Sequence, residues 1–184
     1  MFFCFCVFLY NPDISRAKLN KSDVNTIINT IKKFNLNIII IYPNNDTYSK
    51  DIILSLKKHN DKKTKLFKNF QFDDYIKILS LSKFLIGNSS GGIIETPTLK
   101  IPNIVTGMRQ LGREIANNTI LTKINSIEIE KAVKKALNNR KFHIKIDKGI
   151  TPYLPLKNKK PSETIINVLT KINLNKIKEK QITF

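Results

Sequence analysis

Asn37-Ile38-Ile39-Ile40-Ile41-Tyr42 is a continuous apolar run too short for a helix, and Pro43-Asn44-Asn45-Asp46 closes it. A run of that length suits a strand buried on both faces, which is the strand type of parallel sheets. The same kind of run opens the chain at Met1 to Tyr10 and recurs at Thr64 to Lys68, Phe84 to Gly87, Asn103 to Thr106 and Thr119 to Thr122. Between them lie stretches with helical spacing. Val24, Ile27, Ile28 and Ile31 recur in a helix that Ser22 can cap, ending near Phe34-Asn35. Further helices are expected over Thr47 to His59, Asp73 to Ser82, after Ser90, and Ile127 to Asn138. This alternation predicts βαβ units, hence a three-layer α/β parallel sheet of Rossmann-like type with helices on both faces. Ligands of such sheets sit at the carboxyl ends of the strands. Residues Asn139 to Lys160 read as a basic loop with Pro152 and Pro155, Ser162 caps a closing helix to about Ile172, and a polar tail follows. The expected organisation is one domain over residues 1–172, with a tail at 173–184.

Composition narrows the function classes. The 184 residues carry 32 Lys+Arg against 14 Asp+Glu, a net charge of +18, yet 41% are hydrophobic and apolar runs span the chain, which argues against disorder. The Lys-rich charge is spread evenly instead of forming a stripe, so it reads as solvated surface and nucleic acid is the less favoured partner. The stretch Asn139 to Lys160 keeps the alternative of a basic nucleic-acid-binding module open. Cys4 and Cys6 share one extended segment and do not suggest a disulfide framework, so a reduced, cytoplasmic setting is expected. No run approaches the roughly 20 apolar residues of a membrane span. His59 and His143 have no partners at metal-ligand spacing and read as surface, so no metal and no cofactor are expected.

Three clusters at strand ends carry the candidate chemistry. In Gly87-Asn88-Ser89-Ser90-Gly91-Gly92-Ile93-Ile94-Glu95 a strand meets small residues and a helix start. Such a turn exposes backbone N–H groups to an anion; Ser89 and Ser90 add hydroxyls, and Gly91 and Gly92 allow close approach. Glu95 shares the helical face of those glycines and can accept hydrogen bonds from a sugar diol. Read locally, a simple N-cap at Ser90 with a dipole-compensating acid explains the same residues equally well. The second cluster, Gly107-Met108-Arg109-Gln110-Leu111-Gly112-Arg113-Glu114, holds two of the four arginines; Arg109 suits a phosphate, Arg113 less so, and either can pair with Glu114 instead. The third, Tyr42-Pro43-Asn44-Asn45-Asp46, is by itself an ordinary turn.

Taken together, in order and spacing, these clusters resemble the hydrolysing UDP-N-acetylglucosamine 2-epimerases of sialic acid and related nonulosonate synthesis. The resemblance implies a fold equivalent to the C-terminal domain of a glycosyltransferase-B-type protein, with UDP or UDP-N-acetylglucosamine as ligand. It implies that Asn44 helps hold the nucleotide, that the backbone near Phe70 meets the uracil, and that Ser89, Ser90 and Gly91 meet the diphosphate. Glu95 is then the ribose ligand and Arg109 lies on the phosphate side, with Arg113 a further candidate.

The family's reaction is elimination of UDP followed by addition of water, with inversion at C2. Three departures stand against full activity. Asn11 stands before Pro12 where the family has a histidine, and an amide carries neither proton nor charge. The matching residues cover the C-terminal domain only, so the carboxylates of the N-terminal domain are expected from a separate chain, or else the chain is a truncated product without activity. The family's late Tyr-Gly-Asp-Gly pattern is replaced by Tyr153-Leu154-Pro155-Leu156-Lys157.

Overall fold

Phe5–Leu9 (β1) is the centre from which the sheet is built, and its side chains alternate between two cores. Cys6 and Phe8 point to one face with Ile38, Ile40, Phe84, Ile86, Ile104 and Ile120. Val7 points to the other with Ile41 and Leu85. This period-two division over uniformly apolar strands is what two-sided burial requires. Fully burying an isoleucine such as Ile40 contributes about 1.5–3 kcal/mol. The computed structural model describes residues 4–153 and 160–172. The start of the first apolar run, the 154–157 part of the loop pattern and the expected tail at 173–184 lie outside the described residues.

The remaining strands are Asn37–Ile41 (β2), Thr64–Phe67 (β3), Leu85–Gly87 (β4), Asn103–Thr106 (β5) and Thr119–Thr122 (β6). They form one six-stranded sheet in the order β3-β2-β1-β4-β5-β6, and every pairing is parallel. The order reverses between β1 and β4, so the loops after these two strands flank the crevice where such sheets take ligands. Helices Asn20–Lys32 (α1), Ser49–Lys57 (α2) and Ser126–Asn138 (α5) pack on the Phe8 face. Phe72–Leu81 (α3) packs on the Val7 face through Leu79, with Tyr75 and Ile78 against the same core. The three-layer α/β expectation is met.

Several local readings change. Arg140–Asp147 is a helix (α6), not part of a loop. Asn139 caps it by accepting from the Phe142 N–H at 2.9 Å, and Phe142 and Ile146, four apart, bury one face; the prolines that suggested a loop begin only at Pro152. Ser22 does not cap α1, which starts two residues earlier behind a short 3-10 segment at Ile14–Leu19. Ser162 is likewise inside the helix Pro161–Leu169 (α7), whose first residue is a proline and whose cap position is Lys160. His59 is buried instead of solvated: its Nε2 lies 2.8 Å from Asn25 Oδ1, which also accepts from Ser55, tying α1 to α2. Burial, reinforced by the nearby Lys32, holds the His59 pKa below its ordinary value. His143 lies half-buried on α6.

Candidate nucleotide site at the sheet's carboxyl edge

Asn88 follows β4 and is 1% exposed. Its Oδ1 accepts from the Asn11 N–H at 2.7 Å, and its Nδ2 donates to the Asn11 carbonyl at 2.9 Å. The two-point pairing fixes the loop after β1 against the loop after β4. Asn11 in turn uses its own Oδ1 to accept from the Asn44 N–H at 3.0 Å, which adds the loop after β2. On the other side the Asn88 carbonyl accepts from Gln110 Nε2 at 2.7 Å and Arg109 Nη1 at 3.2 Å, which brings in the turn after β5. Four strand ends are therefore joined through two buried asparagines, Asn88 and Asn11. Gln110 is itself buried, with Oε1 left without a partner.

Gly87 makes this junction possible. Its φ is +149°, and a Cβ built there would stand 1.9 Å from the Leu9 carbonyl oxygen, so only glycine lets β4 lie so close to β1 at its exit.

Ser89 and Ser90 are half-buried at the surface of the junction. Ser89 Oγ accepts from the Gly91 N–H at 3.3 Å, and Ser90, at the cap position, makes no side-chain capping bond. The helix expected after Ser90 is a single turn, Gly91–Ile94 (α4). Its dipole is correspondingly small, and the anion-binding capacity of the turn rests on its N–H and hydroxyl groups. Glu95 ends that turn. Tyr75 on α3 donates its hydroxyl to Glu95 Oε2 at 3.1 Å. Burial raises the Glu95 pKa, an effect the Tyr75 hydrogen bond partly offsets.

The other expected site residues fall as follows. Asn44 is exposed, its Nδ2 donating to Asp46 Oδ2 at 2.6 Å. Phe70 is half-buried, tilted against Phe67 with ring centroids 4.8 Å apart, in the same core as Tyr75. Arg109 is part of the junction, whereas Arg113 lies on the exposed outer side of the same turn. Neither arginine pairs with Glu114 among the described residues. Between the turn after β5 and the end of β6 opens a cavity of about 560 Å³ whose lining includes Arg16, Met108, Gln110, Leu111, Leu121 and Ile124 but not Arg109. Asn88, Gln110 and Tyr75 are the residues that sequence reasoning did not single out. Among the described residues no group of three or more His, Cys, Asp or Glu is placed to hold a metal, and no helix is long and apolar enough to cross a membrane.

This six-stranded parallel sheet, with its loops gathered at the reversal of strand order, is an α/β Rossmann-like domain of the glycosyltransferase-B type. Solved structures agree on the fold. A Neisseria meningitidis UDP-GlcNAc 2-epimerase bound to UDP-GlcNAc superposes with a TM-score of 0.67 at 16% identity, over 92% of this chain and 45% of that one. An S. aureus MnaA–UDP co-structure gives 0.66 at 16% identity, over 98% and 48%. The chain belongs to the UDP-N-acetylglucosamine 2-epimerase family, whose model matches residues 6–170. A UDP-N-acetylglucosamine 2-epimerase of Neisseria meningitidis serogroup B is 32% identical over 134 residues, 73% of this chain and 36% of the relative. A hydrolysing UDP-N,N'-diacetylbacillosamine 2-epimerase of Legionella pneumophila is 29% identical over 140 residues, 74% of this chain and 37% of the relative. The chain thus spans about a third of the length of these curated relatives.

Proposed function

We propose that this chain is the nucleotide-holding, C-terminal-type half of a UDP-N-acetylglucosamine 2-epimerase, and that it binds UDP or a UDP-sugar at the junction centred on Asn88. The observation that carries this reading is the convergence of Ser89, Ser90, Gly91 and Arg109 on one side of Asn88 with Asn44 on the other, at the sheet's strand-order reversal. In this arrangement the diphosphate rests on Ser89, Ser90 and the Gly91 backbone, with Arg109 beside it supplying positive charge. Glu95 accepts from the ribose hydroxyls, and the backbone near Phe70 meets the uracil. Arg113, on the exposed side of the turn, plays a lesser part.

The family reaction, loss of UDP and addition of water with inversion at C2, needs groups that move protons. Asn11 cannot serve, because an amide does not titrate and its Oδ1 is committed to the Asn44 N–H. We therefore assign catalysis to a second domain, whether in a longer protein or on a partner chain, and expect this half alone to bind UDP weakly, with a Kd on the order of 0.1–1 mM, since only one wall of the cleft is supplied. Calorimetric titration with UDP tests the reading. Saturable heat that weakens by about tenfold in an Arg109→Ala variant is expected; no heat at millimolar UDP, or an unchanged isotherm in the variant, refutes it.

A further inference from the structure

Tyr75 stands out because its polar tip is spent on one oxygen of one carboxylate. Its ring is anchored in the core formed by Val7, Ile41, Leu79 and Leu85, and its hydroxyl donates to Glu95 Oε2 at 3.1 Å. The carboxylate lies directly over Gly91: a Cβ built there would stand 2.6 Å from Glu95 Oε2 and 3.2 Å from the Tyr75 hydroxyl. Any side chain at position 91 would push the carboxylate out of this place. Tyr75 therefore holds one Glu95 oxygen in a place that only the bare Gly91 backbone leaves open. The other, Oε1, makes no hydrogen bond with a described residue.

We infer that Tyr75 is a positioning residue for sugar selection: by holding Oε2 it presents Oε1 of Glu95 to a vicinal diol, so that the site prefers ribonucleoside diphosphates to their 2′-deoxy counterparts. The inference rests on the nucleotide reading above and adds a residue and a selectivity to it. A carboxylate left free to rotate would meet a diol in many orientations and lose part of that contact to rotamer entropy. One fixed oxygen facing two adjacent hydroxyls gains a charge-assisted hydrogen bond that a deoxyribose cannot supply in full.

The experiment compares UDP and 2′-deoxy-UDP by calorimetry on the wild-type chain and on Tyr75→Phe, which keeps the ring in its core and removes only the hydroxyl. The wild type is expected to favour UDP by about tenfold. In Tyr75→Phe the preference should shrink to within about twofold, while 2′-deoxy-UDP binds both proteins alike, which also reports that the variant's site is folded. A Glu95→Gln variant should show the same loss of preference. The inference is overturned if Tyr75→Phe keeps the wild-type ratio, or if it weakens both ligands equally, as a purely structural role would. A wild type that binds both equally well overturns the selectivity but leaves nucleotide binding standing; a wild type that binds neither removes both.

Discussion

Replacing Asn88 with alanine removes the tie that holds the loops after β1 and β4 together. Two hydrogen bonds are lost, at 2.7 and 2.9 Å, and both of their Asn11 partners are main-chain groups on a residue that is 8% exposed. Each such bond contributes about 1 kcal/mol net, and a buried N–H or C=O stripped of its partner costs about 1–3 kcal/mol when water cannot reach it. Partial rehydration of Asn11 in the space left behind lowers that figure, so the expected loss is about 2–4 kcal/mol. Asn88→Asp is a sharper probe, because it keeps an acceptor for the Asn11 N–H but sets a carboxylate oxygen against the Asn11 carbonyl. It should be no more stable than the alanine variant at neutral pH. Urea unfolding followed by circular dichroism measures both. A loss below about 0.5 kcal/mol for Asn88→Ala, the scale of an ordinary surface substitution, would refute the reasoning that this side chain holds the junction.

Gly87→Ala should be far more damaging than its size suggests, since a Cβ 1.9 Å from the Leu9 carbonyl forces β1 and β4 apart; a soluble variant with wild-type unfolding temperature would contradict this. Gly91→Ala meets the flexible end of Glu95 and the tip of Tyr75, both side-chain ends that can give, so it should cost less than about 1 kcal/mol in urea unfolding yet weaken UDP binding severalfold in calorimetry. Burial keeps the folded-state pKa of His59 below 6.5, and the Lys32 hydrogen bond holds Asp61 down to about 2. Both groups bind protons more readily in the unfolded chain, so they favour folding at neutral pH and that contribution is lost as pH falls, first for His59 below about 6.5, then for Asp61 below about 4. The unfolding temperature should drop between pH 7 and 5, and by less in His59→Gln; an equal drop in both would assign the effect elsewhere. Phe142→Ala should destabilise by about 3–5 kcal/mol in the same urea assay if α6 is docked through that ring, whereas an unchanged midpoint would show α6 to be peripheral.

What the sequence revealed and what it hid follow from how far apart the interacting residues lie. Ile38 to Ile41 announce a two-sided strand because burial on both faces is a local demand on every residue, and the parallel sheet follows from repeating that demand. Gly91 and Arg109 were legible as anion-side candidates from residue type and position after a strand. Asn88 was not, although it sits among them, because its partners Asn11 and Gln110 are 77 and 22 residues away and an asparagine beside two serines reads as turn chemistry. Tyr75 was hidden for a similar reason: on a helix it looks like one more core aromatic, and only its meeting with Glu95, 20 residues on, shows the hydroxyl to be engaged. The α6 helix was lost to composition. Its dense positive charge resembled a loop, while Phe142 and Ile146, the pair that decides the matter, are only two apolar positions four apart. Arg113 shows the opposite error, since residue type placed it beside Arg109 and the turn carries it outward.

Central to the account is the claim that UDP lies on the junction around Asn88, and a titration of the isotopically labelled chain with UDP, followed by backbone amide resonances, tests it residue by residue. The account predicts saturable shifts gathered in residues 87–95 and 107–110, with Asn44 and Phe70 among them. Resonances that stay still at millimolar UDP, or shifts gathered instead on the basic helix Arg140–Asp147, would contradict it.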